Sequence, residues 1–356
     1  MQIINKLLQN IKPIDKASFE ETQKRLDNLT KPQGSLGRLE ELAKLVVAIT
    51  GKKNPNLSKN VIFTMAGDHG VCEEEISLFP QEVTSQMVYN FIRGGAGINV
   101  LANHVGAKVI VVDMGVATDL EPHPNLVIKK VGYGTKNITK HPAMSYRQTI
   151  NSISSGVEIF ESELFNFGID IAGTGDMGIG NTTSSSAIVA AITQEPVENV
   201  TGRGTGIDDE GLKKKIETIN KAIKFNNPNP KNGLDVLSKL GGFEIGGLVG
   251  IILSAAVNRI PVVIDGFISG AAALIAYTLK PEIKDYMIAG HSSVEKGHQI
   301  ILDFIGLKPI LNMNLRLGEG TGAVLAMNLV NAGVKILTQM ATFEQAGVSE
   351  SNSTKK

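Results

Sequence analysis

The chain has 356 residues, of which 42% are hydrophobic and 20% are charged, and its 35 basic residues balance 35 acidic ones. Such a composition is typical of a protein with a large core, and the zero net charge argues against binding nucleic acid or an anionic membrane through bulk electrostatics. The single cysteine, Cys72, excludes an intramolecular disulfide and a cysteine metal cluster, and it favours a cytoplasmic location.

Helices are predicted for the first 52 residues. Apolar residues recur at intervals of three and four over residues 19–29 and 36–49, and a turn at 31–35 separates the two stretches. We expect residues 1–55 and 332–348 to form a small helical domain and residues 56–331 to form a large catalytic α/β domain. Residues 349–356 are predicted to be a disordered tail.

From residue 60 onward, short β-rich apolar runs alternate with helix-length stretches. Seven runs lead into glycines and polar residues, at 61–65, 108–112, 126–131, 169–172, 261–264, 286–289 and 309–313. The stretches between them include predicted helices at 83–93, 184–193, 245–257 and 320–331, and even the most apolar, 245–257, is shorter than the roughly 20 residues that span a bilayer. The alternation predicts an α/β fold with a doubly wound, Rossmann-like parallel sheet, whose ligands bind at the carboxyl ends of the strands.

The densest glycine cluster, residues 173–186, continues into five consecutive hydroxyl residues at a predicted helix start. Glycines let a ligand approach the backbone, and free amides at a helix start suit an anion, so we favour an anion site over a simple helix cap. Gly173, Gly175 and Gly178 also match a dinucleotide fingerprint. The acid expected to bind the ribose, Glu195, directly follows a helix instead of a strand, so a nicotinamide oxidoreductase is the weaker hypothesis.

A second glycine-rich loop, residues 201–206, precedes three consecutive lysines at 213–215. The loop lacks the ending of a nucleoside-triphosphate P-loop, and it fits a monophosphate group better. On spacing alone, the lysines could equally form a solvated helix face. The histidines at 69, 291 and 298 lack metal-ligand spacing, so hydrogen-bonding roles are favoured for them, and neither a metal nor a cofactor is predicted.

Glu319 lies between glycines at residues 318–322, after a strand-like run and before an apolar helix. With little side-chain bulk around it, its carboxylate is expected to face a cleft that is open to a ligand. Amides at the helix end would lower its pKa, whereas burial would raise it toward neutrality, where a general base works best. We favour a functional role over a simple interaction with the helix dipole.

Seven motifs, in order over nearly the whole chain, resemble those of one family, the nicotinate-nucleotide–dimethylbenzimidazole phosphoribosyltransferases. They are TKPQGSLGRLE at 30–40, AGDHGV at 66–71, EVTSQMV at 82–88, GIGNTT at 178–183, GRGTG at 202–206, DGF at 265–267 and GEGTG at 318–322. Two positions depart from the family pattern: Asp176 stands where Glu is usual, and Gln33 replaces a second proline.

The resemblance implies transfer of phosphoribosyl from nicotinate mononucleotide to an aromatic base such as dimethylbenzimidazole, with inversion at the anomeric carbon. It also implies a homodimer, and from the charge balance we expect neither nucleic acid nor a membrane as a partner. Glu319 matches the family's general base, and Asp176 joins it as a catalytic candidate. By resemblance, the base pocket is formed by Ser77, Phe79, Gln86, Met177 and Leu317. The residues implied to hold the nucleotide are Gly178, Asn181, Thr182, Thr183, Gly202, Gly204, Lys215 and Ser293. A non-catalytic nucleotide-binding protein with the same sheet stays open as an alternative.

Overall fold

Six parallel strands form one sheet in the computed structural model, which describes residues 2–349. Their order is β3-β2-β1-β4-β5-β6, and the order reverses between β1 and β4, as in a Rossmann fold. The predicted doubly wound α/β sheet is confirmed. The strands are β1 (Asn60–Gly67), β2 (Lys108–Gly115), β3 (Leu126–Ile128), β4 (Ile171–Met177), β5 (Val262–Ile264) and β6 (Met287–Ala289).

Fifteen α-helices are assigned among residues 2–349, together with 3₁₀ turns at Gly70–Glu74 and Pro281–Tyr286. Each helix predicted from the sequence is present, within a few residues at most ends; the helix predicted to end at 331 runs eight residues further. The helices are α1 (Gln2–Asn10), α2 (Ser18–Asp27), α3 (Arg38–Thr50), α4 (Val83–Ile92), α5 (Gly97–Val105), α6 (Tyr146–Asn166), α7 (Asn181–Thr193), α8 (Val197–Val200), α9 (Asp209–Asn226), α10 (Gly233–Leu240), α11 (Phe243–Val257), α12 (Phe267–Leu279), α13 (Lys296–Ile305), α14 (Thr321–Gln339) and α15 (Phe343–Ala346).

Strand β1 is buried along its whole length because helices cover both faces of the sheet. Successive side chains point to opposite faces, so Phe63 joins the core beneath α6 and α11, and Ile62 joins the core beneath α14. On the first face, Phe63 stacks on Phe160 with ring centroids 5.7 Å apart. This central position holds the carboxyl end of β1 rigidly beside that of β4.

The prediction of a seventh strand at residues 309–313 is wrong. The segment forms an isolated parallel bridge, between Leu311 and His291, just beyond the end of β6, and its backbone bonds to Ala289, Gly290 and Ser292 do not extend into a ladder. The residues after Leu311 are mostly exposed and leave the sheet, so the pairing does not continue. The apolar run therefore marks a segment that lies along the sheet edge without becoming a strand.

The proposed small domain stays a prediction, and its boundary at residues 331 and 332 lies inside the continuous helix α14. A separate apolar cluster joins α2, α3 and the end of α14, through residues that include Leu26, Val47 and Leu337. Helix α14 is long and apolar enough to cross a membrane by composition, but 56% of its apolar window is buried inside the protein, which is typical of a core helix. Of the predicted tail, residues 350–356 lie outside the described residues.

Candidate active site

A cavity of about 680 Å³ opens at the carboxyl edge of the sheet. The loops after β4, β5 and β6 form its walls, together with the start of α4 and the segment that precedes α14, as expected for ligand binding in this fold. Of the predicted site residues, ten line it: Phe79, Asp176, Met177, Gly178, Asn181, Thr182, Gly204, Ser293, Leu317 and Glu319.

Part of the cavity wall is apolar. Phe79, Met177 and Leu317 lie there as predicted, together with two residues of α4 that the sequence did not single out, Val83 and Met87. The α4 residues could have been found from helical spacing, since four positions separate them. This wall suits a flat apolar ring.

Two predicted base-pocket residues lie elsewhere. Ser77 lines a smaller adjoining cavity of about 40 Å³, and Gln86 is exposed on α4 and is not part of the wall of the large cavity. Their roles in base binding stay predictions.

A second part of the cavity, the phosphate end, lies at the start of α7 and is built for an anion, and it adjoins the smaller cavity that Lys215 lines. Gly180 precedes α7 with a φ of +92°, and no side chain caps the helix start. Lys215 is buried and donates from Nζ to Thr182 Oγ1 at 2.8 Å. Burial lowers the pKa of Lys215 to about 8, although the nearby Glu295 charge opposes the shift. Amides of a helix start beside an ammonium group provide a phosphate site.

Close backbone packing explains the glycines in this turn. A β-carbon on Gly178 would lie 2.2 Å from the carbonyl oxygen of Gly67, so no larger residue fits between β1 and α7. Two other predicted nucleotide residues stand back from the cavity: Thr183 is buried inside α7, and Gly202 lies against Glu295. Their participation stays a prediction.

Gly173 and Gly175, the first glycines of the apparent dinucleotide fingerprint, belong to strand β4 itself. A β-carbon on Gly173 would lie 2.4 Å from Ile62 Cδ1, and one on Gly175 would lie 2.3 Å from the Glu319 carbonyl oxygen. These glycines serve close packing and do not form a phosphate loop. Glu195 is exposed after α7. The placement argues against the oxidoreductase hypothesis.

Glu319 is held at the cavity in a tight turn. Its φ is +64°, between two glycines that also have positive φ, and it is only 5% exposed. Its Oε2 accepts a hydrogen bond from the Ile98 N–H at 3.0 Å, and its backbone carbonyl accepts from Thr64 Oγ1 at 2.9 Å. Burial raises the pKa of Glu319, opposed by the Ile98 amide and assisted by the charge of Asp265. The group is therefore a stronger base than an exposed glutamate.

Asp265 holds this turn in place through hydrogen bonds to the backbone that follows Glu319. It is fully buried at the N-terminus of α14, where it accepts hydrogen bonds from the N–H groups of Gly322 at 2.7 Å and Ala323 at 2.9 Å. A third, from Gly320, is 3.3 Å long. Burial raises the pKa of Asp265, and His291 and these amides oppose the shift. The sequence showed Asp265 only within a resemblance motif, since nothing in the chain pattern indicates which helix it caps.

Asp176, the second predicted catalytic carboxyl group, is buried at the end of β4. Its Oδ2 accepts from Asn181 Nδ2 at 3.0 Å, and its backbone carbonyl accepts from the Glu319 N–H at 3.2 Å. Burial, together with the charges of Asp265 and Glu244, raises the pKa of Asp176 well above its ordinary value. Asp176 therefore contacts both Asn181, at the phosphate end of the cavity, and the turn that holds Glu319.

Buried hydrogen bonds account for the histidine at position 69. Its ring joins Ser184 Oγ, 2.9 Å from Nδ1, to Glu244 Oε1, 2.5 Å from Nε2. His298 Nδ1 accepts from the Ser293 N–H at 2.9 Å, in the wall of the cavity. Within residues 2–349, no three His, Cys, Asp or Glu side chains form a cluster suited to a metal ion.

Comparisons with known proteins agree over nearly the full length. A family model described as "Phosphoribosyltransferase" matches residues 11–348. Proteins named nicotinate-nucleotide–dimethylbenzimidazole phosphoribosyltransferase are similar: the one from Chloroflexus aggregans is 56% identical and that from Geobacter sulfurreducens 55% identical, each over 98% of this chain and 99% of the relative. A crystal structure with the same name, from Thermus thermophilus, superposes with a TM-score of 0.90 at 41% identity, covering 95% of this chain and 100% of its own.

Proposed function

This chain belongs to the nicotinate-nucleotide–dimethylbenzimidazole phosphoribosyltransferase family, and from that membership we propose that it transfers phosphoribosyl from nicotinate mononucleotide to 5,6-dimethylbenzimidazole. The products are α-ribazole 5′-phosphate and nicotinate, in assembly of the lower ligand of cobalamin. The observation that carries the proposal is the buried carboxylate of Glu319, placed in a cavity with an apolar wall and an anion-binding end.

The phosphate end and the apolar wall of the cavity match the two substrates. The phosphate is held by the start of α7 and by Lys215, and the flat base lies against Phe79, Met177 and Leu317. The ribose then lies between them, beside Glu319. Holding both reactants in line replaces a bimolecular encounter, which is a large part of the acceleration that such enzymes achieve.

The chemistry follows from the leaving group. In nicotinate mononucleotide, the nicotinate ring that leaves is a pyridinium bonded to ribose through its nitrogen. Breaking this bond neutralises the ring nitrogen while positive charge develops on the sugar, as in glycoside cleavage. An unprotonated imidazole nitrogen attacks the opposite face of the anomeric carbon, which inverts its configuration. The second imidazole nitrogen then carries an acidic proton, and Glu319 accepts it as general base, a contribution of about 10²–10⁴-fold.

Replacing Glu319 by Gln tests this assignment. The variant retains the size of the side chain but not its basicity, so the rate of base-for-nicotinate exchange should fall by about 10²–10⁴-fold while nicotinate mononucleotide still binds. The exposed Glu282→Gln variant is the control for the same chemical change. Turnover by E319Q at the wild-type rate would remove Glu319 from the mechanism, and nucleotide binding without turnover in the wild type would favour a sensor.

The pH profile gives a second measurement. Because the carboxylate form of Glu319 is the active one and burial raises its pKa, the rate should fall on acidification at a higher pH than an exposed glutamate would dictate. The E319Q variant should lack the part of this dependence that comes from the Glu319 carboxylate, and should keep the part that comes from protonation of the attacking base.

The proposal also includes assembly as a homodimer and a cytoplasmic location.

A further inference from the structure

Glu295, in the loop that joins β6 to α13, is a buried carboxylate in the wall of the large cavity. It is 9% exposed, and its Oε2 has no hydrogen-bond partner among residues 2–349. No cation of the described chain lies within ion-pair distance, 4.0 Å, of it. A buried carboxylate without a full set of donors is costly, so its presence needs a reason.

The position of Glu295 is defined by the glycine-rich loop above it. A β-carbon on Gly202 would lie 2.0 Å from Glu295 Oε2, so only glycine lets the loop cover this carboxylate. Two residues further on, a β-carbon on Gly204 would lie 3.3 Å from Lys215 Nζ. Glu295 therefore lies near Lys215 at the phosphate end of the cavity, and because this loop covers Oε2, a ligand in the cavity meets the carboxylate at Oε1.

A negative charge at this place opposes the binding of a phosphate unless the same ligand also offers hydrogen-bond donors. In nicotinate mononucleotide at neutral pH, the phosphate and the nicotinate carboxylate only accept hydrogen bonds, and the pyridinium nitrogen carries no hydrogen. The donors are the 2′ and 3′ hydroxyl groups of the ribose. The ribose lies next to the phosphate, which brings these hydroxyls to the part of the cavity that Glu295 lines.

We propose that the Glu295 carboxylate accepts hydrogen bonds from the ribose hydroxyls and makes the site selective for ribonucleotides over deoxyribonucleotides. The inference rests on the proposed function for the identity of the nucleotide. A site built to bond a hydroxyl group rejects the analogue that lacks it, because a buried polar group is then left unpaired. For a bond to a charged acceptor, we expect the wild type to lose about ten- to a hundredfold in affinity.

The competing role for Glu295 is to keep Lys215 protonated. The two roles predict that different nucleotides lose affinity when Glu295 is replaced. A counterion of Lys215 affects every nucleotide that carries the phosphate, whereas a partner of a ribose hydroxyl affects only nucleotides that carry that hydroxyl. A cycle that combines a protein change with a ligand change separates them.

Isothermal titration of the full chain with nicotinate mononucleotide and its 2′-deoxy and 3′-deoxy analogues performs the test. In Glu295→Gln, affinity for the ribonucleotide should fall about tenfold, and affinity for the analogue without the bonded hydroxyl should stay constant or improve. Glu295→Asp keeps the charge but shortens the side chain, and it should lose part of the selectivity. Glu198→Gln, an exposed change on the neighbouring helix α8, should behave as the wild type does.

Equal losses for all three ligands in E295Q would overturn the proposal in favour of the counterion role, and equal binding of all three by the wild type would overturn it outright. Turnover of nicotinate mononucleotide with dimethylbenzimidazole is measured separately on the wild type. Selectivity for the hydroxyl without turnover would contradict the proposed function and leave the role of Glu295 intact.

Discussion

The buried lysine predicts how nucleotide binding depends on pH. Burial lowers the pKa of Lys215 to about 8, and only the ammonium form attracts the phosphate. Between pH 7 and pH 9, the protonated fraction falls from about nine tenths to about one tenth, so affinity should weaken by about tenfold, and then tenfold per further pH unit. The phosphate itself stays dianionic over this range, since its second pKa is about 6.

Isothermal titration with nicotinate mononucleotide from about pH 7 to pH 9.5, at constant ionic strength, measures this slope. Repeating the titration in buffers of different ionisation enthalpy gives the number of protons taken up on binding. This number should approach one per nucleotide at the highest pH of the range. Lys215→Met should bind weakly with no slope, whereas Lys213→Met, an exposed change on the same helix, should retain it. An affinity that is constant up to pH 9.5 in the wild type would refute the reasoning.

The same variant has a consequence for stability. A pKa lowered from 10.5 to about 8 means that holding the ammonium in the folded protein costs about 3 kcal/mol at pH 7, and that this cost disappears as the pH rises toward 10.5. Lys215→Met should therefore raise the free energy of unfolding of the ligand-free protein at pH 7, by up to this amount. Urea titrations at pH 7 and pH 10 measure the difference, which should be smaller at the higher pH.

Two further changes test the support of Glu319. Asp176→Asn should reduce kcat by less than tenfold, far less than E319Q does. Burial already favours the uncharged carboxylic acid, and the amide has the same shape and no charge. A loss as large as that of E319Q would give Asp176 a direct part in proton transfer. Asp265→Ala should lower the free energy of unfolding by about 3 kcal/mol in a urea titration, because the amides of Gly322 and Ala323 lose their acceptor, and an unchanged midpoint would contradict this role.

The alternation of apolar runs and glycine loops was enough to predict the parallel sheet and to place the site at its carboxyl edge. The error at residues 309–313 has a physical origin, since an apolar run that lies along a sheet edge has the same pattern as a strand. Whether it pairs over several residues or only at Leu311 depends on where the next segment turns, which the local sequence does not specify.

The candidate site was predictable where a residue's neighbours along the chain are also its neighbours in space. Glu319 between glycines and the hydroxyl residues after Gly180 belong to this kind. The partners of a buried carboxylate were not predictable in this way, because they come from distant parts of the chain. Ile98 reaches Glu319 from α5, and Glu295 contacts Gly202 from a loop almost a hundred positions away. Such contacts depend on how separate βα units pack together, and no periodicity along the chain records them.

The three carboxyl groups around the turn differ in the hydrogen-bond donors that each receives, and all three have a pKa raised by burial. Both aspartates are buried, but Asp265 accepts from backbone amides at a helix end, whereas Asp176 accepts from a single side-chain amide. The charge of Glu319 is one of the causes that raise the pKa of Asp176, and the interaction is mutual, so an ionised Asp176 would hold the proton on Glu319. Because burial raises the pKa of Asp176, the uncharged form of this group is favoured, and that form does not add to the rise in the pKa of Glu319.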